Sequence, residues 1–492
     1  MKINRRFLIL YLTTLTTFGF AQDDNFMTTK VDIDFADKLR EWDGFGFNYV
    51  ETAQSIDYTT DPQEYGGFSL LNENQKKEII DLVFGENGLK VSIVKMFLDP
   101  WHQSQVNGPF DHEKTTRHMR EFVKAGVEKT KARDASLKII TTLYGPPPFM
   151  TKQKFIRGRD IDPDMKDELV NYYVDWVRYL RTNGYPIRYV SLHNEGEDWS
   201  RWPRDGKTGE IGTGHDYNLY WPTELINEII PMLRASLDKN GFRDVGVTNG
   251  ENTNWWRFSN WGYAHALYTN EKALKDLGLI TSHGFFHSFI GTRWYGDHES
   301  IGIDLLREKR PELKAWVTST SWSKMDPYFV TEMQGNIYTS KVNAIIPWAG
   351  IQRPVKWVGG DPNSGSAFRV TEDGKYEVMP GYYFYKQATR AGQPGMSVVR
   401  ATSRSTVTPV IAFGSNGTKN PDAFIIINNS DRWKSSFKIN IKGSKAKAFK
   451  AYRTSAGPQG ENYVEVGEFE VKDGAIHYES PVSSVTTFFA SR

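Results

Sequence analysis

Between residues 41 and 380, short apolar runs alternate with longer amphipathic ones. The runs at 44–50, 89–97, 137–144, 187–193, 245–249, 280–286, 313–318 and 344–348 read as strands. Residues 72–84, 113–132, 163–182, 222–239 and 301–308 carry helical spacing between them. Eight strands separated by helices predict an α/β fold, a parallel (β/α)8 barrel. An open doubly wound sheet is the alternative, but no Gly-x-Gly-x-x-Gly turn follows an early strand. From about Tyr382 the rhythm changes to short β-prone segments divided by Asn416-Gly417, Gly457-Pro458 and Asp473-Gly474. These predict an antiparallel β-sandwich packed on the barrel, and the alternating stretch 28–35 adds a strand to it. The expected organisation is a leader over 1–21, an N-terminal sandwich segment over 22–40, the barrel over 41–380 and the sandwich over 381–492.

The leader rests on Lys2, Arg5 and Arg6, a mostly apolar stretch 7–20, and Gly19-Phe20-Ala21 before the expected cut. This is the pattern of a secretory signal peptide, so a secreted or periplasmic protein is expected. No later apolar run reaches about 18 residues, which argues against a membrane span. The 492 residues, 39% hydrophobic and 14% aromatic, supply a sizeable core and exclude a disordered or coiled-coil chain. Basic and acidic residues number 61 and 59, so nothing electrostatic points to a nucleic-acid partner. The chain has no cysteine, which rules out disulfides, thiolate catalysis and Cys-ligated zinc.

Chemistry in such barrels gathers where strands run into loops at the C-terminal face. The fourth strand ends in Tyr189-Val190-Ser191-Leu192-His193-Asn194-Glu195. Cleaving a glycosidic bond requires an acid to protonate the leaving oxygen, and a Glu held at a strand end in a partly dry cleft can serve. Asn194 can donate to a sugar hydroxyl beside the breaking bond. An isolated Asn-Glu pair would read as a solvated loop; its position after the fourth strand reverses that preference.

Several motifs in order resemble glycoside hydrolase family 30, of clan A of the retaining glycosidases. Trp42-Asp43-Gly44-Phe45-Gly46 resembles the family's opening strand, and Gly145-Pro146-Pro147-Pro148-Phe149-Met150 its third-strand turn. Asn194-Glu195 resembles the clan's Asn-Glu pair. Gly381-Tyr382-Tyr383-Phe384-Tyr385 with 390–396 resembles the exit into the side sandwich, and 481–488 the closing strand. The resemblance implies a barrel with a sandwich built from both termini, hydrolysis of a β-linked sugar with retention, no cofactor, and Glu195 as acid/base. It also implies a nucleophile Glu directly after strand seven, where this chain has Ser319.

Two other carboxylates are candidates for the second role. Glu332 has the local text of a strand end, yet Asp326-Pro327 reads as a helix cap and first turn, which puts Glu332 on helix seven. Glu251 follows strand five and can face the same cleft as Glu195. A carboxyl separation of about 5–5.5 Å suits retention and about 6.5–9.5 Å inversion. Candidate sugar-binding groups are Trp101, Tyr144, His193, Asn194, Trp255, His283, His287 and Trp348, all near strand-to-helix loops. His283 and His287 share a face, but no third metal ligand accompanies them, so no metal is expected. Lys95, Arg201, Arg204, Arg293 and Arg353 fit either a uronate or sulfated sugar or simple solubility. The expectation is a glycosidase with a carbohydrate substrate. A non-catalytic carbohydrate binder on a degenerate fold, or an inverting enzyme using Glu251, are the alternatives.

Overall fold

The computed structural model describes residues 26–208, 216–285, 298–358, 360–361 and 363–491. The leader at 1–21 therefore lies outside the described residues, as do His287 and Arg293. Eight parallel strands close into a barrel: Gly44–Asn48, Ile93–Leu98, Lys138–Leu143, Ile187–Ser191, Gly246–Thr248, Leu277–Ser282, Ala315–Thr320 and Ala344–Pro347. Helices follow the predicted spacing, with small offsets. Glu73–Phe84 starts at Asn72, whose side chain accepts from the Asn74 and Gln75 amides in a capping box. Lys166–Thr182 and Thr223–Lys239 each bury one apolar stripe.

The sixth strand begins at Leu277, three residues before the predicted start. The short helix Glu271–Asp276 ends there, and Gly278 lies against Gly246 so closely that a Cβ would stand 2.8 Å from the Gly246 Cα. Two facing glycines break the apolar run but let the strands approach. The helix Pro380–Ala391 spans the boundary read at 380/381, because Pro380 starts it and Tyr382, Tyr385 and Ala388 are buried at helical spacing.

The side sheet has nine mostly antiparallel strands. Its N-terminal strand, Phe26–Glu41, lies antiparallel to Ser397–Ser403 and parallel to Lys434–Lys442. Val31, Ile33 and Phe35 of that strand bury one alternating face against Val399, Phe424, Ile439 and Phe488. No described helix is long and apolar enough to cross a membrane.

One layer of the barrel is apolar: Ile93, Ile140, Leu279, Trp316, Ala344 and Ile346 are buried together. Side chains alternate along a strand, so two residues further on the same face returns. That step gives Lys95, Thr142 and Thr281, all buried; a second step along the sixth and eighth strands gives His283 and Trp348. The polar floor of the barrel mouth is thus laid by strand periodicity above an apolar plug.

Candidate active site

Leu192, His193 and Asn194 carry the chain from the fourth strand over the rim to Glu195, which sits at φ 48° in the left-handed region. That conformation is costly for a side chain with a Cβ. Backbone bonds hold it: Glu195 N–H donates to the Glu251 carbonyl at 2.8 Å, and Glu251 N–H donates to the His193 carbonyl at 2.9 Å. His193 is buried and stacked on Trp221, its Nδ1 accepting the Gly196 N–H at 3.0 Å. Burial pushes its imidazole down to about 4, so it is a neutral prop for the turn. Gly250, at φ 82°, is required here, since a Cβ would meet the His193 ring at 2.1 Å.

The buried side chains form a ladder of alternating charge. Lys95 Nζ pairs with Glu251 Oε2. Thr142 Oγ1 donates to the other oxygen of Glu251. His283 Nε2 lies 3.0 Å from Glu251 Oε2, and its Nδ1 lies 2.8 Å from Glu195 Oε1. Arg201 Nη2 donates to Glu195 Oε2 at 2.6 Å. A carboxylate on each ring nitrogen needs an N–H at both, which is the imidazolium form. Burial alone would lower the His283 value, but the bonds to Glu195 and Glu251 raise it above the usual range. Burial alone would raise Glu251, but Lys95 and His283 overcome it and hold the carboxyl down to about 2. With cationic donors on both oxygens, Glu195 rests as a carboxylate.

Next to Glu195 lies a small cavity of about 20 Å³, room for one water. Asn194 and His283 line it with Glu195; Phe285, Trp348 and Trp357 supply aromatic surface; Asp216, Ser319, Asp361 and Asn363 complete it. Ser319 reaches the cavity where the pairing of strands seven and eight shifts register between Val317 and Thr320. Asp361 Oδ2 accepts from Trp348 Nε1 at 2.7 Å and from the Tyr65 hydroxyl; Oδ1 accepts from the Asn363 N–H at 2.6 Å. Asn194 Nδ2 donates to Asp216 at 2.9 Å. Beyond the cavity, Glu197 pairs with Arg257 at 3.0 Å and accepts the Thr253 N–H at 2.9 Å, tying the loops after strands four and five together.

Of the residues singled out from sequence, Glu195, Asn194, His283 and Trp348 meet at this cavity. Glu251 is one shell back, with His283 standing between it and Glu195. Trp101 donates to the Tyr217 hydroxyl at 3.0 Å, Tyr144 stacks on Phe97 at 4.3 Å, and Trp255 donates to Asn336 at 2.9 Å; none lines the cavity. Among the described residues, no three His, Asp or Glu side chains converge as metal ligands. Sequence reasoning missed Trp357 and Asp361. Their signal was the run Trp357-Val358-Gly359-Gly360-Asp361-Pro362-Asn363 in the connection after the eighth strand.

Glu332 is elsewhere, on the helix Pro327–Tyr338 that Asp326 caps by accepting the Tyr328 N–H. Its Oε2 is buried with no hydrogen-bond partner, and burial pushes the carboxyl up to about 8. A carboxyl raised on folding binds a proton that the unfolded chain releases above its ordinary value near 4.5, so it costs stability as pH rises from there towards 8. Glu332→Gln is therefore expected to match the parent at pH 4 and exceed it by about 1–3 kcal/mol at pH 8 in urea unfolding. An unchanged pH slope in the variant would contradict this.

No family model and no curated protein matches the chain. Solved structures do match over nearly all of it. The catalytic domain of a GH30 xylanase C from Talaromyces cellulolyticus aligns with TM-score 0.69 at 14% identity, covering 94% of this chain and 100% of that one. SrfJ from Salmonella typhimurium aligns with TM-score 0.69 at 13% identity, covering 94% and 92%. An endo-β-1,6-glucanase aligns with TM-score 0.65 at 15% identity, covering 94% of each. These likenesses establish the fold: a (β/α)8 barrel with a β-sandwich at its side.

Proposed function

We propose that the protein is an exported glycoside hydrolase acting on a β-linked oligo- or polysaccharide, with Glu195 as the group that transfers the proton. The observation that carries this reading is the end of the fourth strand, where Glu195 meets Trp348, Trp357 and Phe285 around one cavity. Aromatic faces suit the C–H faces of sugars. The acid form of Glu195 arises through His283. Its Nδ1 proton crosses the 2.8 Å to Oε1, leaving a neutral imidazole that still donates from Nε2 to Glu251. Of the two other carboxylates on the same cavity, Asp216 is engaged by Asn194, and Asp361 lies in the loop after strand eight, across the ring from strand four. Water attacks the anomeric carbon and gives its proton to Asp361. The bond to the leaving oxygen breaks, and that oxygen takes the proton from Glu195. This pairing inverts the anomer, where the family resemblance implies retention.

Ser319 and the one-water cavity favour a second reading, a carbohydrate-binding protein on a degenerate glycosidase fold. A screen on β-linked polysaccharides separates the two: turnover supports the hydrolase, whereas tight binding with no turnover supports the binder. Export is part of the same reading. N-terminal sequencing of the exported protein is expected to begin at Gln22, and retention of Lys2 to Ala21 would contradict it.

A further inference from the structure

A second and larger concavity lies away from the barrel mouth, between the barrel and the side sheet. It is a groove of about 1180 Å³. Its barrel wall comes from the loop before the second strand and from the helix Pro380–Ala391; its other wall comes from the sheet strands Ala448–Ser455, Val464–Glu470 and Ser484–Ala490. A smaller hollow shares Lys419 and Pro421 with it and adds Lys445 and Lys447. In a chain whose charges nearly cancel, composition alone does not force this concentration of cations.

The groove carries a cation without a counter-ion. Lys90 is paired with Glu86 at 2.6 Å and Lys450 with Glu465 at 2.8 Å. Lys386 has no carboxylate partner among the described residues. Its ammonium lies 4.7 Å from the centre of the Tyr463 ring, which stacks on Tyr452 at 5.1 Å and 10°. Tyr463 holds φ 59°, a left-handed conformation unfavourable for a bulky side chain. Burial and the neighbouring Arg390 bring the Lys386 amine down to about 8. An anion in the groove would relieve that desolvation and repulsion together.

We propose that this groove is an accessory binding site for an anionic polysaccharide, in which Lys386, Arg390 and Lys419 receive the carboxylate or sulfate groups. Asn87, Gln393, Asn420 and Ser491 on its walls suit sugar hydroxyls. Glu86, Glu465 and Glu468 on the same walls oppose a dense polyanion such as DNA, with one charge per about 1.7 Å, more than a glycan with one charge per sugar. The choice of a glycan among anions rests on the function proposed above; the anion site itself does not.

The intact protein is titrated with polygalacturonate, dextran sulfate, neutral dextran and double-stranded DNA. Binding is expected to one or both anionic glycans and to weaken with salt, with none to dextran. Lys386→Ala with Lys419→Ala is expected to lower that affinity at least tenfold, while Lys386→Arg keeps it and Trp357→Ala, at the barrel-mouth cavity, leaves it unchanged. The response of polygalacturonate against dextran sulfate tells carboxylate from sulfate recognition. The proposal is overturned by no glycan binding, by equal binding to dextran, or by a double variant that melts like the parent and binds as well. DNA bound as tightly as the glycans would overturn the glycan assignment. Loss of binding in Trp357→Ala would return the ligand to the barrel mouth.

Discussion

Glu195→Gln is expected to lower kcat/KM by about 10²–10⁴ on whichever β-linked polysaccharide is turned over, the usual weight of a positioned proton-transfer group. The amide keeps the shape of the side chain but cannot take up or release the proton. It also presents one donor to a site with two, since Arg201 and His283 both donate to the carboxylate. In the proposed hydrolase, a sugar held against Trp348 and Trp357 does not need that proton, so KM is expected to move less than kcat. The rate also depends on His283, whose value is raised on folding. A raised histidine is charged below its folded value and loses its second proton as pH rises through it. Activity and the stability contributed by the Glu195–His283–Glu251 bridge are therefore expected to fall together on the alkaline side. Asp361→Asn in parallel tests the other half of the mechanism. If Glu195→Gln retains parent turnover while folding normally by circular dichroism, the assignment of Glu195 fails; if only Asp361→Asn does, the base alone is misassigned.

How far the sequence reached this site depends on which residues obey a local rule. Strand periodicity and the order of motifs were enough for the barrel, for the N-terminal strand in the side sheet and for Glu195 at the fourth strand end. Asp326-Pro327 was enough to put Glu332 on a helix, because capping is written in adjacent residues. The sixth strand started early because its first turns are set by Gly278 packing on Gly246, a contact between distant segments. The charge ladder was less legible still. Lys95, Thr142, Glu251 and His283 come from strands two, three, five and six, and no spacing relates them until the ring closes. Trp101, Tyr144 and Trp255 sit near the right loops but turn into packing, because being near a loop does not say which way a ring points. Asp361 escaped because a long irregular connection carries it to the cavity, and its partners Tyr65 and Trp348 come from elsewhere in the chain.

Lys95→Met is expected to be the most destabilising single change in the barrel mouth, by about 3–5 kcal/mol, because it removes the lysine from the buried Glu251 carboxylate and leaves only the His283 imidazolium beside it. The pair is fully buried, so water cannot replace the lost ammonium. The sign of the pH dependence should also reverse. In the parent, Glu251 is depressed, so the stability it contributes is present above about 4.5 and is lost as pH falls towards about 2. Without Lys95, only His283 opposes the cost of burial, so the carboxyl is expected to rise and hold its proton; stability then falls as pH rises above the ordinary carboxyl value. Urea midpoints at pH 5 and pH 8 read this directly: near-flat for the parent in this term, steeply lower at pH 8 for Lys95→Met. Adding Glu251→Gln removes the stranded charge, so the double variant is expected to recover much of the loss, and the coupling in the cycle measures the buried pair. Purely additive losses, or a Lys95→Met variant as stable at pH 8 as at pH 5, would mean that Glu251 is not held as an anion by Lys95. The proposed proton ladder to Glu195 would then lose its anchor.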